Sequence, residues 1–149
     1  MSFGLLALFS WLATAGVGGF LLYLWAMRAT RSAATGRLSY GRPPPYIPRW
    51  LVVTHVVLAL GGLVAWVGSL ALVDDFAYVA LPTLLMVALL GASMFVRWLG
   101  SRRARRAALA LNRAPSESRL PTLAVVSHGL LGVATVVLVL LSYFRPNGL

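Results

Sequence analysis

The stretch PTLAVVSHGLLGVATVVLVLLSYF, residues 121–144, decides how the chain is read. It carries no charge, its one imidazole is His128, and it exceeds the ~20 mostly apolar residues a helix needs to cross a bilayer. Three more stretches share this character: Phe3 to Met27, Trp50 to Val73, and Phe76 to Val96. The residues therefore predict an all-α fold, a single transmembrane domain over 1–149. Its helices lie over 3–27, 50–73, 76–96 and 121–144. Pro82, early in the third span, predicts a kink whose freed carbonyl a neighbouring helix re-satisfies. The first span lacks a basic n-region and is longer than the ~7–15 residues of a signal-peptide h-region, so it reads as a retained helix.

Composition agrees. Of 149 residues, 60% are hydrophobic and 11% charged, with mean hydropathy +0.85. A soluble domain averages about 45–50% apolar and about 25% charged residues. The absence of cysteine excludes disulfides and thiolate metal sites. The net charge is +10 and every basic residue is arginine, a composition that suggests a GC-rich bacterial coding sequence and a plasma (inner) membrane location. A pI near 11.7 could point to nucleic acid, but these arginines lie between apolar spans. Orientation and anionic lipid headgroups account for them, and no nucleic-acid partner is expected.

The loops set the direction. The connection over 28–49 carries Arg28, Arg31, Arg37, Arg42 and Arg49. That over 97–120 carries Arg97, Arg102, Arg103, Arg105, Arg106, Arg113 and Arg119. The connection between them holds Asp74 and Asp75, and the tail only Arg145. The positive-inside rule makes 28–49 and 97–120 basic cytoplasmic loops and leaves both termini non-cytoplasmic. Trp25, Trp50 and Trp98 fall at the cytoplasmic boundary and Tyr78 and Tyr143 at the other, as aromatic rings at headgroup level would. Pro43-Pro44-Pro45-Tyr46-Ile47-Pro48 reads as polyproline II, a stiff spacer before the second helix. Ser101 to Asn112 is helix-prone and basic at its start. It reads either as a helix on the membrane surface or as the third helix continued into solvent.

Only two histidines occur, His55 and His128, and both lie inside spans. An ionisable group there is costly and is a functional candidate by default. Each follows the pattern V-V-[T/S]-H-x-x-L. The second and fourth spans run in the same direction. His55 is five residues past Trp50 and His128 seven past Pro121, roughly 8 and 10 Å inside the cytoplasmic end at 1.5 Å per residue. On the second helix His55 shares a stripe with Ala59, Gly62 and Trp66. On the fourth, His128 shares one with Ala124, Gly132, Thr135 and Ser142. Small and hydroxyl residues on a stripe mark a close-packed interior face and leave room for a planar macrocycle. Two opposed imidazoles in a four-helix bundle suit the iron of a b-type haem, with Arg49 or Arg119 within reach of its propionates.

Histidines at matched depth on the second and fourth helices are similar to the haem-ligating pairs of respiratory cytochrome b. They also resemble those of four-helix cytochrome b561-like and copper-resistance-D-like membrane proteins. The resemblance rests on helix count and on His55 and His128. It implies a haem-iron ligand role for those two residues. Cytochrome b carries two histidines on each ligating helix and this chain one, so one haem is implied.

Other readings stand beside it. Each histidine could simply hydrogen-bond a neighbouring helix, or the pair could serve a quinone or proton relay. Two histidines give too few ligands for a closed zinc site. Gly16, Gly18, Gly19 and Gly91 read as close-packing residues, and Asp74 and Asp75 as turn and helix-start residues. No catalytic residues, phosphate loop or dinucleotide fingerprint is present, so an enzyme acting alone is not expected. The function classes are three. One is an electron-transfer protein or respiratory-complex subunit with bis-histidine haem b. Another is a non-catalytic structural or assembly subunit of a larger membrane complex or homo-oligomer. The last is a quinone- or proton-linked transporter.

Overall fold

A computed structural model describes residues 2–34, 47–71, 76–108 and 120–144, with side chains omitted at 28–34 and 104–108. These residues form four helices: α1 (Phe3–Ala34), α2 (Arg49–Ala71), α3 (Ala77–Ala108) and α4 (Thr122–Phe144). Each contains a segment long and apolar enough to cross a membrane: Phe3–Met27, Arg49–Ala71, Ala77–Arg103 and Thr122–Phe144. At most 17% of the apolar window in any of these is buried within the bundle. Val53, Val57, Leu60 and Val64 on α2, for instance, are exposed, as are Leu130 and Val133 on α4. Surfaces this apolar are stable against hydrocarbon rather than water.

Helix ends follow local chemistry. Ser2 caps α1: its Oγ accepts from the Leu5 amide at 3.4 Å and its carbonyl from Leu6 at 3.2 Å. Helices α2 and α4 each begin directly after a proline, Pro48 and Pro121. Proline's fixed φ suits a helix start, and its missing N–H would have had no partner there. Their carbonyls accept from Leu51 and Val125, each at 3.1 Å.

Two helices outrun their apolar segments. α1 continues through Arg28 to Ala34, where no glycine or proline interrupts it, and α3 continues to Ala108. The segment from Ser101 is thus the third helix prolonged, as far as it is described. Residues 109–112, the run 43–46, Asp74 and Asp75, Arg113, Arg119 and Arg145 lie outside the described residues.

Packing divides the bundle into two pairs. α1 lies mainly on α4 and α2 mainly on α3, while the contacts joining the pairs, α3 with α4 and α1 with α2, are sparser. A seam therefore runs between the α1/α4 pair and the α2/α3 pair. The buried core is also split along the bundle. One cluster, Ala7, Trp11, Trp66, Ala80, Leu84 and Val139, fills the end away from the arginines. The other, Ile47, Leu51 and Trp98, fills the arginine-rich end. Trp98 sits at the expected level but points inward: it is 2% exposed, packed in that cluster with Arg102 5.0 Å above its ring. Trp50 is exposed, and Tyr78 and Tyr143 meet edge-on at 5.9 Å near the opposite end.

Candidate functional site

Between the two core clusters lies a layer with a different character. On α2 it spans Leu51 to Trp66, about 22 Å at 1.5 Å per residue. His55 and His128 enter this layer from opposite sides of the seam. Their ring centroids are 6.2 Å apart and their planes inclined by 67°. The structure thus brings together the two residues singled out in the sequence. Their stripes are arranged as the helical period required: Gly62 and Trp66 are buried with Ala59 half-buried, and Thr135 is buried with Ala124, Gly132 and Ser142 half-buried.

His128 is oriented by α1. Its Nδ1 lies 3.0 Å from the Thr14 carbonyl oxygen. A carbonyl only accepts, so Nδ1 carries the proton, and the lone pair is left on Nε2. A backbone carbonyl holding one nitrogen so that the other can bind a metal is the usual outer-shell arrangement of a ligating histidine. The same turn of α1 is tied to α4 by hydroxyls. Thr135 Oγ1 lies 2.9 Å from Ser10 Oγ and 3.2 Å from Thr14 Oγ1. Thr14 Oγ1 donates to the Ser10 carbonyl at 2.8 Å, and Thr135 Oγ1 to the Leu131 carbonyl at 2.8 Å.

His55 is held more loosely, by α3. The Val87 carbonyl interacts with its ring, but Nδ1 is buried and makes no hydrogen bond of ordinary geometry. A buried polar nitrogen in this state carries a desolvation cost that a small shift toward the Val87 carbonyl would remove.

Glycines floor both rings. A Cβ on Gly18 would stand 2.8 Å from His128 Cε1, and one on Gly91 3.2 Å from His55 Cε1. Beside Gly132, one turn beyond His128 and half-buried, an added Cβ would meet nothing within 4 Å, so the layer has spare room there. Sequence reasoning gave Gly18 and Gly91 a packing role and passed over Thr14 and Val87. The signal that finds the glycines is a spacing: each precedes the next histidine by 37 residues (55 − 18 and 128 − 91). Backbone acceptors leave no comparable mark.

Among the described residues no group of three or more His, Asp or Glu side chains could hold a metal ion. Arg49 is exposed at the arginine-rich end. No protein-family model matches the chain, and neither does any curated protein or any solved structure.

Proposed function

We propose that this chain is a four-span bacterial inner-membrane protein whose seam holds one b-type haem between His55 and His128. It would act as an electron-transfer protein or as the haem-bearing subunit of a respiratory assembly. The observation that carries the reading is the separation of the two rings. A metal binds an imidazole nitrogen at about 2.0–2.1 Å. With each nitrogen about 1.1–1.2 Å from its own centroid, two opposed ligands place their centroids roughly 6.2–6.6 Å apart. The observed 6.2 Å lies at that value.

Three further features support the fit. The His128 tautomer leaves Nε2 as the ligating atom. The Nδ1 of His55 makes no hydrogen bond of ordinary geometry and has only the looser contact with the Val87 carbonyl, so its ring can still turn to a ligand. The contacts joining the helix pairs are sparse, so few of them would have to part to admit a flat ligand. The same separation counts against a quinone bridging the rings, since its ring and two carbonyls would need several ångströms more between the donors.

In this reading His128, held by Thr14, and His55, beside Val87, fix the ligand's position. The apolar clusters above and below exclude water from the layer. When bound, the haem supplies one-electron transfer. A single site near one face cannot by itself carry electrons across about 30 Å of hydrocarbon, so a quinone, a second redox subunit or another copy must complete the path. The arginine-rich loops lie in the cytoplasm against anionic headgroups, with both termini on the far side.

The test is an optical spectrum of the detergent-purified protein, oxidised and then dithionite-reduced, from cells supplied with haem precursor. A sharp reduced α-band of the b type is expected. A colourless protein that co-purifies with stoichiometric partners would instead establish the structural-subunit reading, in which the His128–Thr14 bond is a helix-packing contact.

A further inference from the structure

The two halves of the site are copies of one another. Helices α2 and α4 have the same length, 23 residues, and begin 73 positions apart (122 − 49). With that offset residues 3–71 align with 76–144 without a gap. Both histidines coincide, His55 with His128, and so do single pairs of other scarce types: Gly18 with Gly91, Trp25 with Trp98, Pro48 with Pro121, and Ser69 with Ser142. The packing obeys the same relation. Shifting each helix to its counterpart turns the extensive α1/α4 contact into α3/α2, and the sparse α1/α2 contact into α3/α4. A pseudo-two-fold axis therefore runs along the bundle between His55 and His128. Each half-site combines the two repeats: a histidine from one and a glycine-bearing helix from the other.

The glycine bears a fixed relation to the acceptor carbonyl. Gly18 is the fourth residue after Thr14, whose carbonyl accepts from His128. Gly91 is the fourth after Val87, whose carbonyl faces the His55 ring more loosely, without a hydrogen bond of ordinary geometry. In an α-helix each Cα–Cβ bond tilts toward the N-terminus, so a side chain at i+4 lies over the turn that contains carbonyl i. That carbonyl already takes the i+4 amide and has one lone pair left. Only a residue without Cβ leaves room for an imidazole to reach it from the next helix. Glycine costs helix stability, and the repeat shows which glycine is needed. Gly16 and Gly19 correspond to Leu89 and Ala92 in the second copy, and an added Cβ at either meets nothing within 4 Å. Of these three α1 positions, only that of Gly18 is glycine in both copies.

We infer that Gly18 and Gly91 are positioning residues, each uncovering the carbonyl that orients the opposing histidine, and that the site is a pseudo-symmetric pair of such half-sites. Their service to a bound ligand rests on the haem reading above; the orientation of the rings does not.

The test uses the full-length protein in detergent or nanodiscs, with ¹⁵N-labelled histidine, first without and then with added haem. The chain has only two histidines, so each ring signal can be followed. In the wild type, both rings of the haem-free protein are expected as the neutral Nδ1–H form. Gly18→Ala should shift the His128 Nδ1 signal and leave His55 in place, Gly91→Ala should do the reverse, and Gly19→Ala should move neither. Haem affinity should fall about 10- to 100-fold in the first two variants and stay unchanged in the third. An Nε2–H tautomer at His128 in the wild type overturns the assignment even if no variant folds. So do equal shifts from Gly18→Ala and Gly19→Ala. If the tautomers and their glycine dependence hold while the wild type takes up no haem, the positioning role stands and the haem reading fails. If haem binds tightly to all three variants, the haem reading stands and the positioning role fails.

Discussion

Thr14 and Thr135, on helices that meet along their length, bring their hydroxyl oxygens to 3.2 Å, and the carbonyl of the same Thr14 holds His128. Thr135 is 1% exposed, and with its own proton on the Leu131 carbonyl its Oγ1 accepts from Ser10 Oγ at 2.9 Å, so removing its hydroxyl leaves Ser10 short of that bond while keeping the packing volume. Hydrogen bonds between membrane helices average about 0.6 kcal/mol and reach about 1.7. Thr135→Val is therefore expected to lower stability by roughly 1 kcal/mol. Ser69→Ala should cost much less, because Ser69 Oγ donates only to the Trp66 carbonyl of its own helix. Thermal midpoints in one detergent compare the two, and equal midpoints would show that the cluster contributes nothing.

The histidines give a second expectation. His55→Ala and His128→Ala each remove one side of a pair whose centroids lie 6.2 Å apart. On the proposed haem reading, each variant should lose the low-spin reduced spectrum of a bis-histidine haem and still elute as the wild type does, since both rings are only half-buried. An unaltered spectrum in either single variant means that residue is not a ligand.

How far the sequence led can be judged from these residues. The spans were legible because membrane helices must be uncharged over a length fixed by the bilayer, and Pro48 and Pro121 marked two of the starts. The meeting of His55 with His128 was legible because two parallel helices entered from the same side put them at similar depth. The far end of α1 was not, and that of α3 was one of two readings, since arginine and alanine favour helix as readily in water as apolar residues do in lipid. Nor was the inward turn of Trp98, which depends on how α2 and α3 rotate against each other. The carbonyls of Thr14 and Val87 had no side-chain signature. Only the 73-residue offset, together with the contacts of Gly18 and Gly91, brings them out.

Trp98 and Arg102 separate two contributions at the arginine-rich end. Arg102 donates from Nη1 to Thr122 Oγ1 at 2.9 Å and lies over the Trp98 ring, but the bond is exposed to solvent. Cation–π pairs at exposed sites contribute about 0.5–1 kcal/mol, so Arg102→Gln should cost about that much. Trp98→Ala opens the cluster formed with Ile47 and Leu51 and should cost about 3–5 kcal/mol. Reversible unfolding of both variants in mixed micelles measures the ratio. A larger loss from Arg102→Gln would make the ion, not the ring, the clamp between α3 and α4.

Orientation can be tested because the chain has no cysteine to interfere. A single cysteine placed at Arg113 should react with a membrane-impermeant maleimide only after the cytoplasmic side is opened, whereas one placed at Asp74 or Asn147 should react in intact spheroplasts. The third connection holds seven arginines, Arg97 to Arg119, and the second none, so the bias is large. The result also fixes the side from which the site is approached. His55 lies six residues into α2 from Arg49, about 9 Å along the helix, so the pair sits near the arginine-rich face. Labelling as expected gives a cytoplasmic donor or acceptor the shorter path to the histidines. Reversed labelling would place the arginines outside and give that path to a partner on the opposite side of the membrane.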